Sequence, residues 1–230
     1  MAVEKSTNNV MEKMQPDLKY YIEQTILKPD TTSEQIDKLC AEAIQYEFFG
    51  VCVPPFYVEQ AAKLLMNADV KLITVVGFPL GYNSTHIKLE ETKEVIRHGA
   101  DEVDMVMNIA AFKSGNFNLV LNDMKTLADY CHRFEVLLKV IIETCLLSDD
   151  EVIKACELAT EARVDFVKTS TGFSTAGATV HHIQLMRKNL PEHIRLKASG
   201  GIRDRNTALD LIKSQADRLG TSSGVKLVSE

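Results

Sequence analysis

The sequence lacks the features that mark several large classes of protein. Its five cysteines are scattered and odd in number, with no C-x-x-C pair, so reduced thiols are expected rather than a disulfide framework. Its longest apolar runs, such as residues 136–142, are too short to span a bilayer, and Lys139 interrupts that one. The net charge is -6, and no segment carries an excess of lysine or arginine. These absences predict a cytoplasmic protein with neither a membrane nor a nucleic acid as its partner.

The sequence also lacks two glycine-rich nucleotide motifs. There is no G-x-G-x-x-G after the first predicted strand and no G-x-x-x-x-G-K-[ST] loop, which weakens an open, doubly wound sheet as the fold. Short β-rich runs alternate instead with longer helical patterns, which is typical of repeated βα units and a parallel sheet. The predicted strands are residues 24–27, 50–53, 71–76, 102–107, 136–142, 164–168, 194–197 and 218–220.

The predicted helices carry ordinary start signals and apolar stripes. Three of them begin after side chains that can cap free N–H groups, namely Thr32, Ser84 and Ser148. The helix after the fourth strand has apolar residues at helical spacing, at Val120, Met124, Leu127 and Cys131. Eight strands and no linker in 230 residues favour a single (β/α)8 TIM barrel over residues 16–230, with a polar N-terminal tail over residues 1–15. The open doubly wound sheet is the alternative.

Four charged residues lie close to the carboxyl ends of predicted strands, where apolar residues are usual. They are Asp104, Lys139, Lys168 and Lys197. Strand alternation directs Asp104 into the barrel because Val103 and Met105 form the helix-facing set. Any one of the lysines is more simply interpreted as a rim residue or a structural ion pair, since an unpaired buried charge costs several kcal/mol. The four together favour an active site, because the catalytic groups of TIM barrels come from these strand ends.

The residue types favour Schiff-base chemistry. A Schiff base needs a neutral amine, and a second cation nearby lowers the pKa of a lysine, as does partial burial. Lys168 and Lys197, on neighbouring strands six and seven, are expected to form such a pair. Asp104 can shuttle a proton through water, and Lys139 can hold Asp104 ionised and oriented.

Glycine-rich loops follow the last strands, at the place where barrels of this type hold phosphate through backbone N–H groups. One glycine pair alone is more often a turn. The loops after strands six, seven and eight are expected to converge, which predicts a phosphate site. Its residues are Thr171, Gly172, Gly200, Gly201, Ser222 and Ser223.

Four segments resemble the signature segments of the deoxyribose-phosphate aldolase family, and the resemblance extends from about Tyr21 to Val228. They are D-E-V-D at 101–104, L-K-V-I-I-E-T at 138–144, F-V-K-T-S-T-G at 166–172 and K-A-S-G-G-I-R at 197–203. The resemblance implies a metal-free aldolase that reversibly cleaves 2-deoxyribose 5-phosphate to glyceraldehyde 3-phosphate and acetaldehyde. It implies a Schiff base on Lys168, with Asp104 and Lys197 as proton donor and acceptor groups. It also implies a homo-oligomer, because relatives are often dimers or tetramers.

The sequence departs from the family at three positions expected near the pocket. Phe173 stands where some relatives have a lysine, Gln24 where many have a histidine, and Pro54 where they often have an asparagine. These departures are expected to change phosphate affinity or substrate preference. Cys52, at the end of strand two, is interpreted either as a pocket residue or as a buried, inert thiol.

Several other functions stay open. None of the six histidines has metal-ligand spacing, which disfavours a zinc-dependent aldolase, and neither a metal nor another cofactor is expected. A transaldolase-like Schiff-base enzyme and a sugar-phosphate isomerase are alternatives, although an isomerase needs a carboxylate base and no reactive lysine. A non-catalytic, metabolite-binding barrel is a third, and it would be expected to have lost one of Asp104, Lys168 or Lys197.

Overall fold

Eight parallel strands close into a barrel in the computed structural model, which describes residues 16–229. Each strand pairs with the next, and β1 pairs with β8 to complete the closure. The strands are β1 (Ile22–Thr25), β2 (Gly50–Val53), β3 (Lys71–Val76), β4 (Glu102–Val106), β5 (Leu137–Ile141), β6 (Phe166–Lys168), β7 (Arg195–Ser199) and β8 (Arg218–Thr221). The predicted TIM barrel is confirmed and the open sheet is wrong. The predicted N-terminal tail lies outside the described residues.

Helices surround the barrel and connect its strands. Within residues 16–229 they are α1 (Ser33–Gln45), α2 (Val58–Leu65), α3 (Thr85–Arg97), α4 (Ile109–Lys113), α5 (Phe117–His132), α6 (Asp149–Ala162), α7 (Val180–Asn189), α8 (Arg205–Lys213) and α9 (Gly224–Ser229). The three predicted helix starts are confirmed, since Thr32, Ser84 and Ser148 each precede a helix, and the hydroxyls of Ser84 and Ser148 accept an N–H of the first turn. Ser148 also forms a capping box, because Glu151 accepts its backbone N–H at 2.8 Å. No helix of this part of the chain is long and apolar enough to cross a bilayer.

The main apolar core lies between the barrel and the helices. Val103, Met105 and Met107 point into this layer, and the predicted stripe of α5 is fully buried against it. Each such apolar side chain contributes about 1.5–3 kcal/mol through its burial. Because strand residues alternate between the two faces, residues of the opposite parity, such as Glu102 and Asp104, point into the barrel.

Candidate active site

Three lysines and three carboxylates form one network of ion pairs inside the barrel. They are Glu23 on β1, Glu102 and Asp104 on β4, Lys139 on β5, Lys168 on β6 and Lys197 on β7, and all six are buried. The register of the sheet explains the grouping, since Asp104 pairs with Lys139 across the ladder and Lys168 pairs with Lys197. The strands therefore bring all four charged residues predicted from the sequence to one place.

Asp104 is the centre of this network. Its Oδ1 accepts a hydrogen bond from Lys139 at 3.0 Å, and its Oδ2 accepts from Lys168 at 2.8 Å and from Lys197 at 2.6 Å. Burial raises the pKa of Asp104, but the three ammonium groups lower that pKa by more, so it lies well below the usual value. Asp104 is therefore an ionised carboxylate that joins three amines at neutral pH.

Two of the three lysines are held in their charged form. Lys197 is also paired with Glu23, and Lys139 is also paired with Glu102 and lies 3.8 Å from Glu23. Burial lowers the pKa of both lysines, but the Asp104 and Glu23 carboxylates raise it by more, so the net pKa of each is raised. Both stay protonated at neutral pH.

Lys168 differs from the other two lysines because fewer carboxylates are paired with it. Among the described residues Asp104 is its one ion-pair partner. Burial lowers the pKa of Lys168, Asp104 raises it in part, and the Lys197 ammonium lowers it further, so the net pKa is below the usual value. Both causes expected from the sequence act on the pKa of Lys168, and burial lowers it more than the second cation does. Of the three amines, Lys168 is the one that most readily becomes a neutral nucleophile.

Glu23 was missed in the sequence because the first strand was predicted to start at Gln24, whereas β1 begins at Ile22. Strand alternation would have placed Glu23 inside the barrel had the start been correct. Gln24 faces the opposite way. Its amide donates to Glu42 at 3.2 Å and its carbonyl oxygen accepts the N–H of Gly224 at 2.9 Å. Gln24 therefore lies outside the Asp104 network and contacts the segment that follows β8.

Apolar side chains lie beside the network and in the segments that follow β3 and β6. Cys52, Ile73 and Val75 form a small buried cluster with Phe78 packed against it. Phe78 meets Phe173 edge to face, with ring centroids 5.2 Å apart. Burial raises the pKa of Cys52 to about 11, so the interpretation of Cys52 as an inert thiol is supported. Phe173 is half exposed and brings no positive charge to the rim.

The glycine-rich loops after β6 and β7 meet closely. A Cβ at Gly200 would lie 2.9 Å from the Cα of Gly177 and 3.5 Å from that of Gly172, so side chains do not fit there. Gly172, Gly200 and Gly201 have φ values of +83°, +84° and +77°, which favour glycine. The Thr221 hydroxyl, at the end of β8, donates to the Ile202 carbonyl at 2.7 Å. This hydrogen bond connects the end of β8 to the loop after β7.

The hydroxyl-bearing residues of the predicted phosphate site differ from one another in their hydrogen bonds and exposure. Thr171 donates its N–H to both carboxylate oxygens of Glu143 at 3.3 Å and its hydroxyl to one of them at 2.5 Å. Both donors of Thr171 are thus already bonded to a carboxylate. Ser222 is exposed, and Ser223 is half-buried with its N–H bonded to the Thr221 hydroxyl at 3.0 Å.

The sequence is similar to known enzymes along almost all of the described chain. The model of the DeoC/LacD family aldolases matches residues 20–227. The deoxyribose-phosphate aldolase of Brevibacillus brevis is 51% identical over 209 residues, which cover 91% of this chain and 94% of that enzyme. The deoxyribose-phosphate aldolase of Thermococcus kodakarensis is 52% identical over 210 residues, which cover 90% of this chain and 94% of that one.

The fold is similar to that of a solved aldolase as well. The tetrameric deoxyribose phosphate aldolase of Aeropyrum pernix superposes with a TM-score of 0.86 at 32% sequence identity, covering 92% of this chain and 89% of that one. A family match over nearly the whole described barrel and relatives at about half identity lead to the same assignment. The chain belongs to the DeoC/LacD family of aldolases, the carbon–carbon lyases that include the deoxyribose-phosphate aldolases.

Proposed function

We propose that this chain reversibly cleaves 2-deoxy-D-ribose 5-phosphate to D-glyceraldehyde 3-phosphate and acetaldehyde, through a Schiff base on Lys168. The observation that carries the proposal is the asymmetry among the three buried lysines. The pKa of Lys168 is lowered, whereas those of Lys139 and Lys197 are raised. Relatives named deoxyribose-phosphate aldolase support this choice of substrate.

The cleavage begins with the neutral amine of Lys168. Its Nζ attacks the C1 aldehyde of the open-chain sugar, and the resulting carbinolamine loses water to give a protonated imine. Removal of the proton from the C3 hydroxyl breaks the C2–C3 bond, and the electron pair moves into the imine. Glyceraldehyde 3-phosphate leaves, the remaining enamine takes a proton at C2, and hydrolysis of the imine releases acetaldehyde and the free amine.

Asp104 and Lys197 are the proton donor and acceptor groups in this proposal. The Asp104 carboxylate bonds to both Lys168 and Lys197, so a proton can pass between the reacting nitrogen and this pair, directly or through water. The same carboxylate stabilises the positive charge of the iminium. Lys139 supports the site by holding the other oxygen of Asp104.

The sugar phosphate would bind at the loops after β6, β7 and β8. The backbone N–H groups of Gly172, Gly200 and Gly201 and the hydroxyls of Ser222 and Ser223 are the proposed donors. Thr171 would position its loop through Glu143 and would not bind the phosphate itself. Pro54, at the end of β2, is a further proposed influence on substrate preference.

We propose a homo-oligomer, either a dimer or a tetramer, which the tetrameric Aeropyrum pernix enzyme supports.

All five cysteines are free, which supports the expected cytoplasmic location.

The direct test is to incubate the purified protein with 2-deoxyribose 5-phosphate and to follow acetaldehyde with alcohol dehydrogenase and NADH. Equal amounts of acetaldehyde and glyceraldehyde 3-phosphate are expected. A protein that releases no acetaldehyde from this sugar but converts ribose 5-phosphate to its ketose isomer would be the isomerase alternative instead, because aldose–ketose isomerisation needs the C2 hydroxyl that the deoxy sugar lacks. Borohydride added together with acetaldehyde should inactivate the enzyme, and full survival of activity would exclude the Schiff base.

A further inference from the structure

Three potential metal ligands meet at the first turns of α6 and α7, and none of them belongs to the network of buried lysines. Asp149 is the first residue of α6, and His181 and His182 lie in the first turn of α7. One ligand atom from each of the three residues lies within 4.8 Å of the others. His181 Nε2 is 2.9 Å from both carboxylate oxygens of Asp149, and the two imidazole rings have centroids 5.4 Å apart. The fold thus joins two adjacent histidines to a carboxylate from another helix.

An ion pair between Asp149 and His181 accounts for the close approach of these two residues, but it does not account for His182. His182 Nδ1 is buried, yet it has no hydrogen-bond partner among the described residues. Buried polar groups in folded proteins are nearly always satisfied, so this nitrogen indicates that the cluster is incomplete without a ligand.

We propose that Asp149, His181 and His182 bind one divalent transition-metal ion, with Zn²⁺ the best fit. Two imidazoles and one carboxylate, completed by water, are an ordinary ligand set for tetrahedral Zn²⁺. Ca²⁺ and Mg²⁺ prefer sets made only of oxygen atoms. Sequence spacing did not indicate this site, because Asp149 lies 32 residues before His181 and the two histidines are adjacent.

The position of the site predicts a structural effect. α6 follows β5 and α7 follows β6, so their first turns lie at the end of the barrel where the strands end, which is the end that carries the proposed active site. A bound ion would join these two turns and hold the loop between β6 and α7, which contains Gly172 and Phe173. The ion would have no part in the proposed reaction, since none of its three ligands belongs to the Asp104 network.

The test is a titration of tag-free protein, stripped with EDTA and desalted, with ZnCl₂ in a calorimeter. One ion per chain is expected. The variants His181→Ala and Asp149→Asn should each weaken binding at least about tenfold, since each removes one of only three protein ligands. His193→Ala, which removes an exposed histidine elsewhere, is the matched control and should bind like the parent protein.

Thermal unfolding supplies a second, independent readout. With free ZnCl₂ about 100-fold above the parent Kd, the Tm of the parent and of His193→Ala should rise by about 5–10 °C, and that of His181→Ala by at most about half as much. Equal Tm values in EDTA would show that the variants are folded. The proposal is overturned if the parent binds no Zn²⁺, if His181→Ala binds it as tightly as the parent, or if Cys145→Ser abolishes binding, which would identify a thiol site instead.

Discussion

Two buried lysines in different layers of this protein differ in what they can do. Lys168 lies inside the barrel and Lys88 lies in the helical layer, where it donates to Asp123 at 2.9 Å and to the Val106 carbonyl at 3.0 Å. Burial lowers the pKa of both amines, and a carboxylate partly offsets the effect in each case. Burial that lowers the pKa is therefore not enough to identify a reactive lysine.

The two lysines differ in how many other lysines share their carboxylate partner. Among the described residues, Asp123 is paired with Lys88 and with no second lysine, whereas Asp104 is shared by three. Loss of Lys88 would leave Asp123 as a buried charge without its cation. Loss of Lys168 would leave Asp104 with two ammonium groups. We infer that Lys88 stabilises the fold, and this contrast supports the proposed role of Lys168 as the nucleophile.

The largest expected effect comes from Lys168→Leu. We expect aldolase turnover to fall at least about 10³-fold, because the covalent nucleophile is lost. The free energy of unfolding should fall by less than about 1 kcal/mol, since folding lowers the pKa of this lysine and so disfavours its charged form. Steady-state kinetics and urea unfolding check the two expectations. Appreciable turnover by this variant would contradict the assignment of the nucleophile.

The variant Lys88→Met should show the opposite behaviour. The substitution leaves the buried Asp123 carboxylate without its cation, so the free energy of unfolding should fall by about 3–5 kcal/mol. Turnover per folded molecule, measured at low temperature, should stay close to that of the parent. A stable but inactive Lys88→Met protein would remove the distinction between the two lysines.

The variant Lys197→Leu tests how the shared carboxylate tunes Lys168. Turnover should fall about 100-fold, because a proton-transfer group is lost. The residual activity should require a higher pH, since the Lys197 ammonium lowers the pKa of Lys168 and its removal lets that pKa rise. The acidic limb of the pH–rate profile measures the shift. If this limb does not move, Lys197 has no part in keeping the nucleophile neutral.

The smallest effect is expected at the rim. Phe173→Lys should lower the KM for 2-deoxyribose 5-phosphate about fivefold, because an exposed cation near the proposed phosphate loops contributes about 1 kcal/mol. The KM for unphosphorylated 2-deoxyribose should not change, and Phe173→Met is the neutral control. An equal change for both sugars would mean that residue 173 does not contact the phosphate.

Much of this site could be predicted from the sequence because strand alternation acts over short distances. Asp104 between two apolar, helix-facing residues was enough to place it inside the barrel. Glu23 was not predicted as a site residue because the sequence marks the ends of short strands poorly, and β1 begins two residues earlier than predicted. The dominance of burial over the second cation at Lys168 depends on packing that no local pattern records.

The loops were harder to predict than the strands. Thr171 looked like a phosphate donor, but Glu143, 28 residues earlier in the chain, accepts both of its protons. Asp149 joins His181 and His182 only because α6 and α7 lie side by side in the barrel. Contacts of this kind depend on the tertiary fold and leave no periodic signal in the sequence.

The most direct measurement is peptide mapping of the protein after reaction with acetaldehyde and borohydride. We expect an ethyl group on Lys168, in an amount that grows as the pH rises toward the pKa of that amine. Modification of Lys139 or Lys197 in place of Lys168, or of no buried lysine, would contradict the claim that Lys168 is the neutral amine of the three.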